Sequence, residues 1–262
     1  MHSYNDLNFN QFGNPKNPAV VFLHGFMGNS DDWFSIISQL SNNYRCIAVD
    51  LPGHGKSNIQ PDITFNDLID MLEKLMDVLC LKSISVVGYS MGGRVALEWI
   101  IKKPARFKKL ILESATAGIE NPDEKSARVH HDRILANSIC EKSFDDFLDE
   151  WYGLELFART KNHKDYKTLL NRRLENEPGK LAMALNAFSP GLQSSWWENL
   201  PEINIPGLLI CGKQDKKYFG IMNEMKDRNN NFEIVVFENC GHNVHFEDPI
   251  RFAEHLVRFL SL

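Results

Sequence analysis

The chain has 262 residues, of which 43% are hydrophobic and 24% charged, and its formal net charge at pH 7 is -5. This composition is typical of a globular protein that buries a sizeable core. The acidic balance argues against a general nucleic-acid binder, because neutralising phosphates requires a basic face. It leaves a small anionic substrate open, since a few arginines that converge in a pocket outweigh distant, screened charges.

The five cysteines are scattered and have no metal-ligand spacing, so we interpret them as reduced thiols of a cytoplasmic protein. The N-terminal segment 1–18 is too polar for a signal peptide. No apolar run approaches the roughly 18 residues that are needed to cross a bilayer. Secretion and membrane insertion are therefore both disfavoured.

Apolar runs recur along the chain between segments of helical character. Those with the length and β-branched content of strands buried on both faces, as in a parallel sheet, are residues 19–24, 45–50, 83–90, 108–114, 207–212 and 232–239. Helical patterns lie between them, notably at 65–81 and after Ser90, which gives repeated βα units. The sequence therefore predicts an α/β fold with an open, mostly parallel sheet and helices on both faces.

The alternation stops between the strands 108–114 and 207–212, where the sequence becomes charged and helix-like. Such an interruption near the carboxyl edge of a sheet is typical of a helical cap over a site. We predict a core formed by residues 1–114 and 205–262 and a helical cap formed by residues 115–204. The sequence does not indicate an oligomeric state.

The segment GYSMG (88–92) fits the pattern G-x-S-x-G and lies between the strand SISVV and the helical stretch GRVALEWIIK. In a nucleophile elbow the serine sits on a sharp, strained turn, and the flanking glycines let strand and helix approach each other. We therefore predict that Ser90 is the catalytic serine. The alternative is a glycine-rich connection between strand and helix that carries no chemistry.

A second loop, His24-Gly25-Phe26, follows the strand AVVFL. Proteins with a nucleophile elbow supply one oxyanion-hole amide from a loop at this position. We predict the backbone N–H groups of Phe26 and Met91 as the two donors. We interpret His24 as a structural histidine that braces the loop.

Asp215 follows the strand GLLICG and His242 follows the strand FEIVVF, which gives the order Ser, Asp, His that accompanies a nucleophile elbow. A neutral imidazole must accept the serine proton while a buried carboxylate fixes its tautomer. His245 is the competitor of His242, which we prefer because it adjoins Gly241 on the loop directly after the strand. Asp50 and Asp248 compete with Asp215, but one begins the turn DLPGHGKS and the other precedes a proline at a helix start.

No cluster of His, Cys, Asp and Glu has metal-ligand spacing, and no glycine-rich loop matches a nucleotide-binding pattern. The chemistry predicted above therefore requires no metal and no cofactor.

The motifs VFLHGFMGNSDDW, VDLPGHGKS, VVGYSMGGRVAL, LICGKQDKKY and CGHNVHFEDP together resemble the α/β-hydrolase superfamily along nearly the whole core. Finer detail, in GYSMGGR, ESATAGIENPDEKSAR, DEWYGLELFA and GHNVHFEDP, is similar to the 2-succinyl-6-hydroxy-2,4-cyclohexadiene-1-carboxylate synthase family of menaquinone biosynthesis. This second resemblance runs from about Val20 to the C-terminus.

The resemblance implies a lyase that eliminates pyruvate from 2-succinyl-5-enolpyruvyl-6-hydroxy-3-cyclohexene-1-carboxylate. Ser90 would then act as a base and form no acyl-enzyme. The family pattern for binding the carboxylates of the substrate falls on Arg94, Arg128 and Arg173, with Tyr89 and Trp151 as pocket walls; a guanidinium suits bidentate binding of a carboxylate. For each arginine the alternative is a solvated helix residue, and for Trp151 it is packing.

Two other functions compete with this prediction. A carboxylesterase or C–C-bond hydrolase would use the same three side chains to form an acyl-serine intermediate. A non-catalytic binding protein could sense a small ligand on the same scaffold, although such a receptor has no need for all three residues.

Overall fold

The computed structural model describes residues 7–262, so the first six residues of the predicted core segment 1–114 lie outside it. Within the described range one sheet contains β1 (Phe9–Phe12), β2 (Ala19–Leu23), β3 (Arg45–Val49), β4 (Ile84–Tyr89), β5 (Phe107–Glu113), β6 (Gly207–Gly212) and β7 (Phe232–Phe237). The helices of the core are α1 (Phe34–Leu40), α2 (Phe65–Val78), α3 (Met91–Lys102), α9 (Lys216–Arg228), α10 (Val244–Glu247) and α11 (Pro249–Ser261). The helices between β5 and β6 are α4 (Pro122–Glu141), α5 (Phe144–Tyr152), α6 (Ala158–Lys161), α7 (Tyr166–Leu174) and α8 (Pro178–Ala187).

The predicted strands are confirmed to within one or two residues at their ends, and all pairs among β2 to β7 are parallel. Every residue of β2, β3, β4 and β6 is buried, because helices cover both faces of the sheet. β1 is an addition to the prediction. It lies at the edge of the sheet, antiparallel to β3, with Phe9 packed against the apolar cluster on one face and Phe12 against the cluster on the other.

The strand order β1-β3-β2-β4-β5-β6-β7 reverses direction next to β2. The chain passes outward from β2 to β3 and then returns across β2 to β4. In open α/β sheets, ligands bind outside the carboxyl ends of the strands at such a reversal. The loops after β2 and β4, which contain Phe26 and Ser90, leave the sheet at this point.

Two apolar clusters cover the opposite faces of the sheet, and a third lies among the helices inserted between β5 and β6. The third cluster includes Phe147, Tyr152 and Leu185 of the insertion together with Met27 of the loop after β2. Ala184 and Phe188 belong instead to one of the two clusters on the sheet, the one that also contains Val21 and Leu23 of β2. The inserted helices are therefore anchored to the core by packing at α8 and near Met27.

Candidate active site

Ser90 lies on a strained turn between β4 and α3. Its backbone has φ 50° and ψ -106°, a conformation that costs free energy for a residue with a side chain. A Cβ atom at Gly92 would collide with the backbone of Leu23, and one at Gly88 would collide with the first turn of α3. The two glycines of the G-x-S-x-G pattern are therefore required by the close approach of strand and helix.

A hydrogen-bonded chain of three side chains starts at Ser90. His242 Nε2 lies 3.0 Å from Ser90 Oγ, and His242 Nδ1 lies 2.6 Å from Asp215 Oδ2. His242 and Asp215 are both buried, and the other oxygen of Asp215 accepts the backbone N–H of Tyr218 at the start of α9. A carboxylate that accepts the Nδ1 proton leaves Nε2 free to accept the serine proton, so this arrangement can activate the hydroxyl.

The competing residues occupy other positions. His245 pairs through Nδ1 with the buried carboxylate of Glu113 at 2.7 Å, and its ring stacks on Trp33 at 4.2 Å. The Asp50 carboxylate accepts the backbone N–H groups of Ser30 and Lys56. Asp248 caps the N-terminus of α11. The structure joins neither His245 nor either aspartate to Ser90.

The predicted oxyanion-hole residues Phe26 and Met91 line the same cavity as Ser90. Met91 is the first residue of α3, where backbone N–H groups have no partner within the helix. Within residues 7–262 neither the Phe26 nor the Met91 amide donates to a protein acceptor. Both N–H groups are therefore available to a ligand oxygen.

His24 braces the loop that carries Phe26. Its Nε2 accepts the backbone N–H of Leu51 at 2.9 Å, so its Nδ1 carries the proton and donates to the Gly25 carbonyl at 2.7 Å. Burial lowers the pKa of His24, although the hydrogen bond to Gly25 acts in the opposite direction. The lowered pKa favours the neutral ring. These contacts hold the turn through both nitrogens of the imidazole.

A cavity of about 560 Å³ opens over Ser90. Its lining contains four basic side chains and two acidic ones, of which Asp215 is already paired with His242. The lining residues are Phe26, Ser90, Met91, Arg94, Arg128, Trp151, Leu154, Glu155, Leu156, Phe157, Leu185, Phe188, Pro190, Gln214, Asp215, Lys216, Lys217, Tyr218 and His242. The local charge is therefore opposite in sign to the net charge of the chain.

Arg94 lies one turn after Ser90 and is 6% exposed. Its Nη2 donates to the Phe188 carbonyl at 2.8 Å and its Nη1 to Gln193 Oε1 at 3.3 Å. No carboxylate among residues 7–262 forms a salt bridge with it. Burial lowers the pKa of Arg94 to about 10, and the guanidinium remains charged at neutral pH.

Arg128 lines the cavity from α4, and its Nε donates to both oxygens of Asp132 at 2.9 Å. Its two terminal nitrogens make no hydrogen bond to the described protein. Trp151 also lines the cavity, where its ring contacts Phe26 at 5.4 Å between centroids. The structure thus brings Arg94, Arg128 and Trp151 together with Ser90.

The structure places the other two predicted substrate contacts behind the cavity wall. Arg173 is buried, and each of its three nitrogens contacts a protein group, Nη1 and Nη2 the carboxylate of Asp32 and Nε the Tyr152 hydroxyl at 3.0 Å. Tyr89 is buried beneath Gly25, with its ring 5.4 Å from that of His242. Neither side chain belongs to the cavity lining, so the structure does not place them beside Ser90 in the cavity, and their contact with the substrate stays a prediction.

Two side chains near the site were not indicated by the sequence patterns. Tyr218 lines the cavity and its ring lies 4.6 Å from that of His242. Its place three residues after Asp215, on the first turn of α9, is a spacing that could have indicated it. Gln193 contacts Arg94 from a loop after α8, a position for which no periodic signal exists.

Among the described residues, no group of three or more His, Cys, Asp or Glu side chains is placed to hold a metal ion. In the same part of the chain, no helix is both long and apolar enough to cross a membrane.

Comparison with known proteins supports the predicted resemblance. A family model described as alpha/beta hydrolase fold matches residues 18–249. A putative 2-succinyl-6-hydroxy-2,4-cyclohexadiene-1-carboxylate synthase of Bacillus subtilis is 33% identical over 250 residues, which cover 93% of this chain and 90% of that protein. The solved structure of MenH from S. aureus has a TM-score of 0.91, shares 31% identity and covers 98% of each chain.

A chloroplastic relative, Protein PHYLLO of Arabidopsis thaliana, is 30% identical over 95% of this chain. The present chain spans only 16% of the length of that protein. The resemblance to the synthase family that the motifs predicted is confirmed by these matches.

Proposed function

The chain belongs to the α/β-hydrolase fold family, and we propose that it is a lyase of menaquinone biosynthesis. Its similarity to relatives named 2-succinyl-6-hydroxy-2,4-cyclohexadiene-1-carboxylate synthase supports this proposal. The proposed reaction eliminates pyruvate from 2-succinyl-5-enolpyruvyl-6-hydroxy-3-cyclohexene-1-carboxylate and gives 2-succinyl-6-hydroxy-2,4-cyclohexadiene-1-carboxylate. The fold alone does not select this reaction, because the same scaffold supports many chemistries. The selection must come from the cavity.

The observation that carries the proposal is the buried charge of Arg94. A buried guanidinium is costly unless an anion pairs with it, and here its protein acceptors are a neutral carbonyl and a neutral amide. It lies in the cavity beside Ser90, together with the free terminal nitrogens of Arg128. A substrate with several carboxylates would supply the missing negative charge by bidentate contacts.

In the proposed mechanism Ser90 is a base and His242 makes it one. Ser90 Oγ removes a ring C–H proton while its own proton passes to His242 Nε2, whose positive charge Asp215 stabilises. The electrons of the C–H bond at C2 form a double bond to C3, the electron pair of the original C3–C4 double bond moves to C4–C5, and the C–O bond from C5 to the enolpyruvyl group breaks. The N–H groups of Phe26 and Met91 would stabilise the negative charge that develops during proton removal. The departing enolate gains a proton and becomes pyruvate.

We also propose that residues 115–204 act as a cap on this cavity. They contribute Arg128, Trp151 and the stretch 154–157 to the lining, so they would close one side of the substrate site. Arg173 and Tyr89 would support this arrangement from behind, the first by fixing α7 to Asp32 and the second by packing under Gly25.

The decisive experiment measures pyruvate release from the enolpyruvyl substrate in a coupled assay. Wild type is compared with Ser90→Ala and with a blank that contains substrate alone, because such a substrate also eliminates spontaneously. We expect release by the wild type to exceed both controls by at least a hundredfold, in keeping with general-base catalysis. Release no faster than the blank would refute the proposal.

An esterase would use the same three side chains, so the test includes a covalent readout. Acyl transfer predicts a burst of product and a mass increase on Ser90, whereas elimination leaves the serine unmodified. Covalent capture of the enolpyruvyl substrate at Ser90 would favour the esterase alternative.

A further inference from the structure

Gln193 is a fully buried residue on the loop after α8, and it lies outside the lining of the cavity. Its Oε1 accepts a hydrogen bond from Arg94 Nη1 at 3.3 Å. The carbonyl of Phe188, at the start of the same loop, accepts one from Arg94 Nη2 at 2.8 Å. The segment 188–193 therefore holds the guanidinium at two of its nitrogens.

Both of these acceptors are electrically neutral, and that distinguishes Arg94 from its neighbours. Arg173 is paired with the carboxylate of Asp32, and Arg128 with that of Asp132. A glutamate has the size and shape of glutamine, and at position 193 it would place a carboxylate against Arg94. The neutral amide orients the arginine without cancelling its charge.

The amide of Gln193 also lowers the stability of the folded protein. Its Nε2 is buried and has no hydrogen-bond partner within the described protein. An unsatisfied buried donor of this kind lowers the stability of the fold. A residue that lowers stability in this way beside an active-site cation fits a functional requirement better than a structural one.

We propose that Gln193 is a positioning residue that fixes Arg94 toward the cavity while leaving its charge uncompensated, and thereby sets the preference for a carboxylate-bearing substrate. This inference rests on the proposed function, since it concerns how the same site selects an anion. It assigns Gln193 no contact with the reacting atoms. Its effect should therefore appear in anion affinity, with the chemical step largely preserved.

The principal test compares Gln193→Glu with wild type in the pyruvate-release assay. The new carboxylate should form an ion pair with Arg94 and compete with the substrate, so we expect KM to rise at least tenfold and kcat to change less than threefold. The matched control is Gln39→Glu, which makes the same charge change on the exposed face of α1. Its KM should stay at the wild-type value. An unchanged KM in Gln193→Glu would overturn the inference.

A binding measurement separates this inference from the proposed function. The dissociation constant of succinate, used as a simple dicarboxylate probe, is measured by calorimetry for wild type, Gln193→Glu and Gln39→Glu. We expect Gln193→Glu alone to lose at least tenfold in affinity, whether or not the protein releases pyruvate. Equal affinities, or no succinate binding by wild type, would count against the inference, whereas absent pyruvate release would count only against the proposed reaction.

A second variant covers the case in which Gln193→Glu does not fold. Gln193→Met keeps the volume but removes the acceptor of Arg94 Nη1, so the guanidinium is held by Phe188 alone. We expect a two- to fivefold rise in KM and in the succinate dissociation constant, without the competition that a carboxylate introduces. Values equal to wild type would show that Gln193 does not position Arg94.

Discussion

Replacing Arg173 by methionine tests the interpretation that this arginine is a structural partner of Asp32. Both side chains are at most 5% exposed, and two contacts join them, one of 2.8 Å and one of 2.9 Å. Removing one member of a buried ion pair leaves an uncompensated charge and costs about 3–5 kcal/mol. Arg172 still contacts Asp32 at 3.2 Å from a more exposed position, so we expect a loss near 3 kcal/mol.

The pH dependence of the unfolding free energy gives a second estimate of what the Asp32–Arg173 pair contributes to stability. Burial alone would raise the pKa of Asp32, but the charge and hydrogen bonds of Arg173, with a smaller contribution from Arg172, lower it to about 2 from 3.8. A depressed carboxyl pKa stabilises the fold above pH 3.8, and this contribution is lost as the pH falls toward 2. The shift corresponds to about 2 kcal/mol in total, of which about 1 kcal/mol is lost between pH 5 and pH 3.

The assay is denaturant unfolding at pH 7, 5 and 3 for wild type, Arg173→Met, Arg172→Met and Asp32→Asn/Arg173→Met. Arg172→Met is the matched control on the same helix, and it should lose about 1 kcal/mol or less. The double variant should regain at least half of the loss and should show a weaker fall in stability below pH 5. A loss in Arg172→Met as large as that in Arg173→Met, or no recovery in the double variant, would refute the reasoning. A rise in KM in the stable double variant would support the prediction that Arg173 contacts the substrate.

Three further perturbations address the site directly. Arg94→Ala should lower kcat/KM for pyruvate release by about 10–150-fold, the value of one charged hydrogen bond. Hydrolysis of neutral p-nitrophenyl acetate should fall less than fivefold, and equal losses on both substrates would contradict the anion-binding role. Asp215→Asn should lower kcat for pyruvate release at least a hundredfold with little change in unfolding free energy, because it removes the carboxylate that fixes the His242 tautomer; a kcat within tenfold of wild type would contradict this. Glu113→Ala should cost about 3 kcal/mol or more in unfolding free energy, and Glu113→Gln clearly less, since glutamine keeps an acceptor for the His245 backbone N–H at 3.0 Å; similar losses in both variants would contradict the pairing argument.

The parallel strands were predictable because they are buried on both faces and their sequences are nearly continuous apolar runs. β1 was not, since an edge strand with the sequence FNQF carries no such run. From the sequence, the inserted segment was recognisable as helical, but the bounds of its individual helices were not. In α4 the buried positions Asp132, Ala136 and Ile139 share one face, but a buried carboxylate interrupts the apolar stripe and hides the period. That carboxylate pairs with Arg128, four residues earlier on the same helix, and accepts a hydrogen bond from Ser189, 57 residues away. Only the pair with Arg128 has a spacing that the local sequence shows.

The order of Ser90, Asp215 and His242 was predictable because each follows a recognisable strand, and parallel strands bring their carboxyl ends to one edge of the sheet. Which arginines face the cavity was not predictable in the same way. The partner of Arg173 is Asp32, 141 residues away on the loop after β2, whereas Arg94 meets only neutral acceptors. Sequence alone reveals that an arginine is present, but its availability to a ligand depends on whether a distant segment supplies a carboxylate.

Ser90, His242 and Asp215 can serve acyl transfer and proton abstraction equally well. The choice between the two reactions must therefore depend on the cavity that binds the substrate. An enzyme that keeps an unpaired cation in a buried cavity binds an anion tightly, and it must still release its product. The proposed elimination would resolve this conflict, because pyruvate would carry away one of the carboxylates that the intact substrate presents. Each product would then have fewer negative groups to offer Arg94 and Arg128 than the substrate had. Under the proposed reaction, the charge of the cavity would favour the substrate over either product, and pyruvate itself should inhibit only weakly.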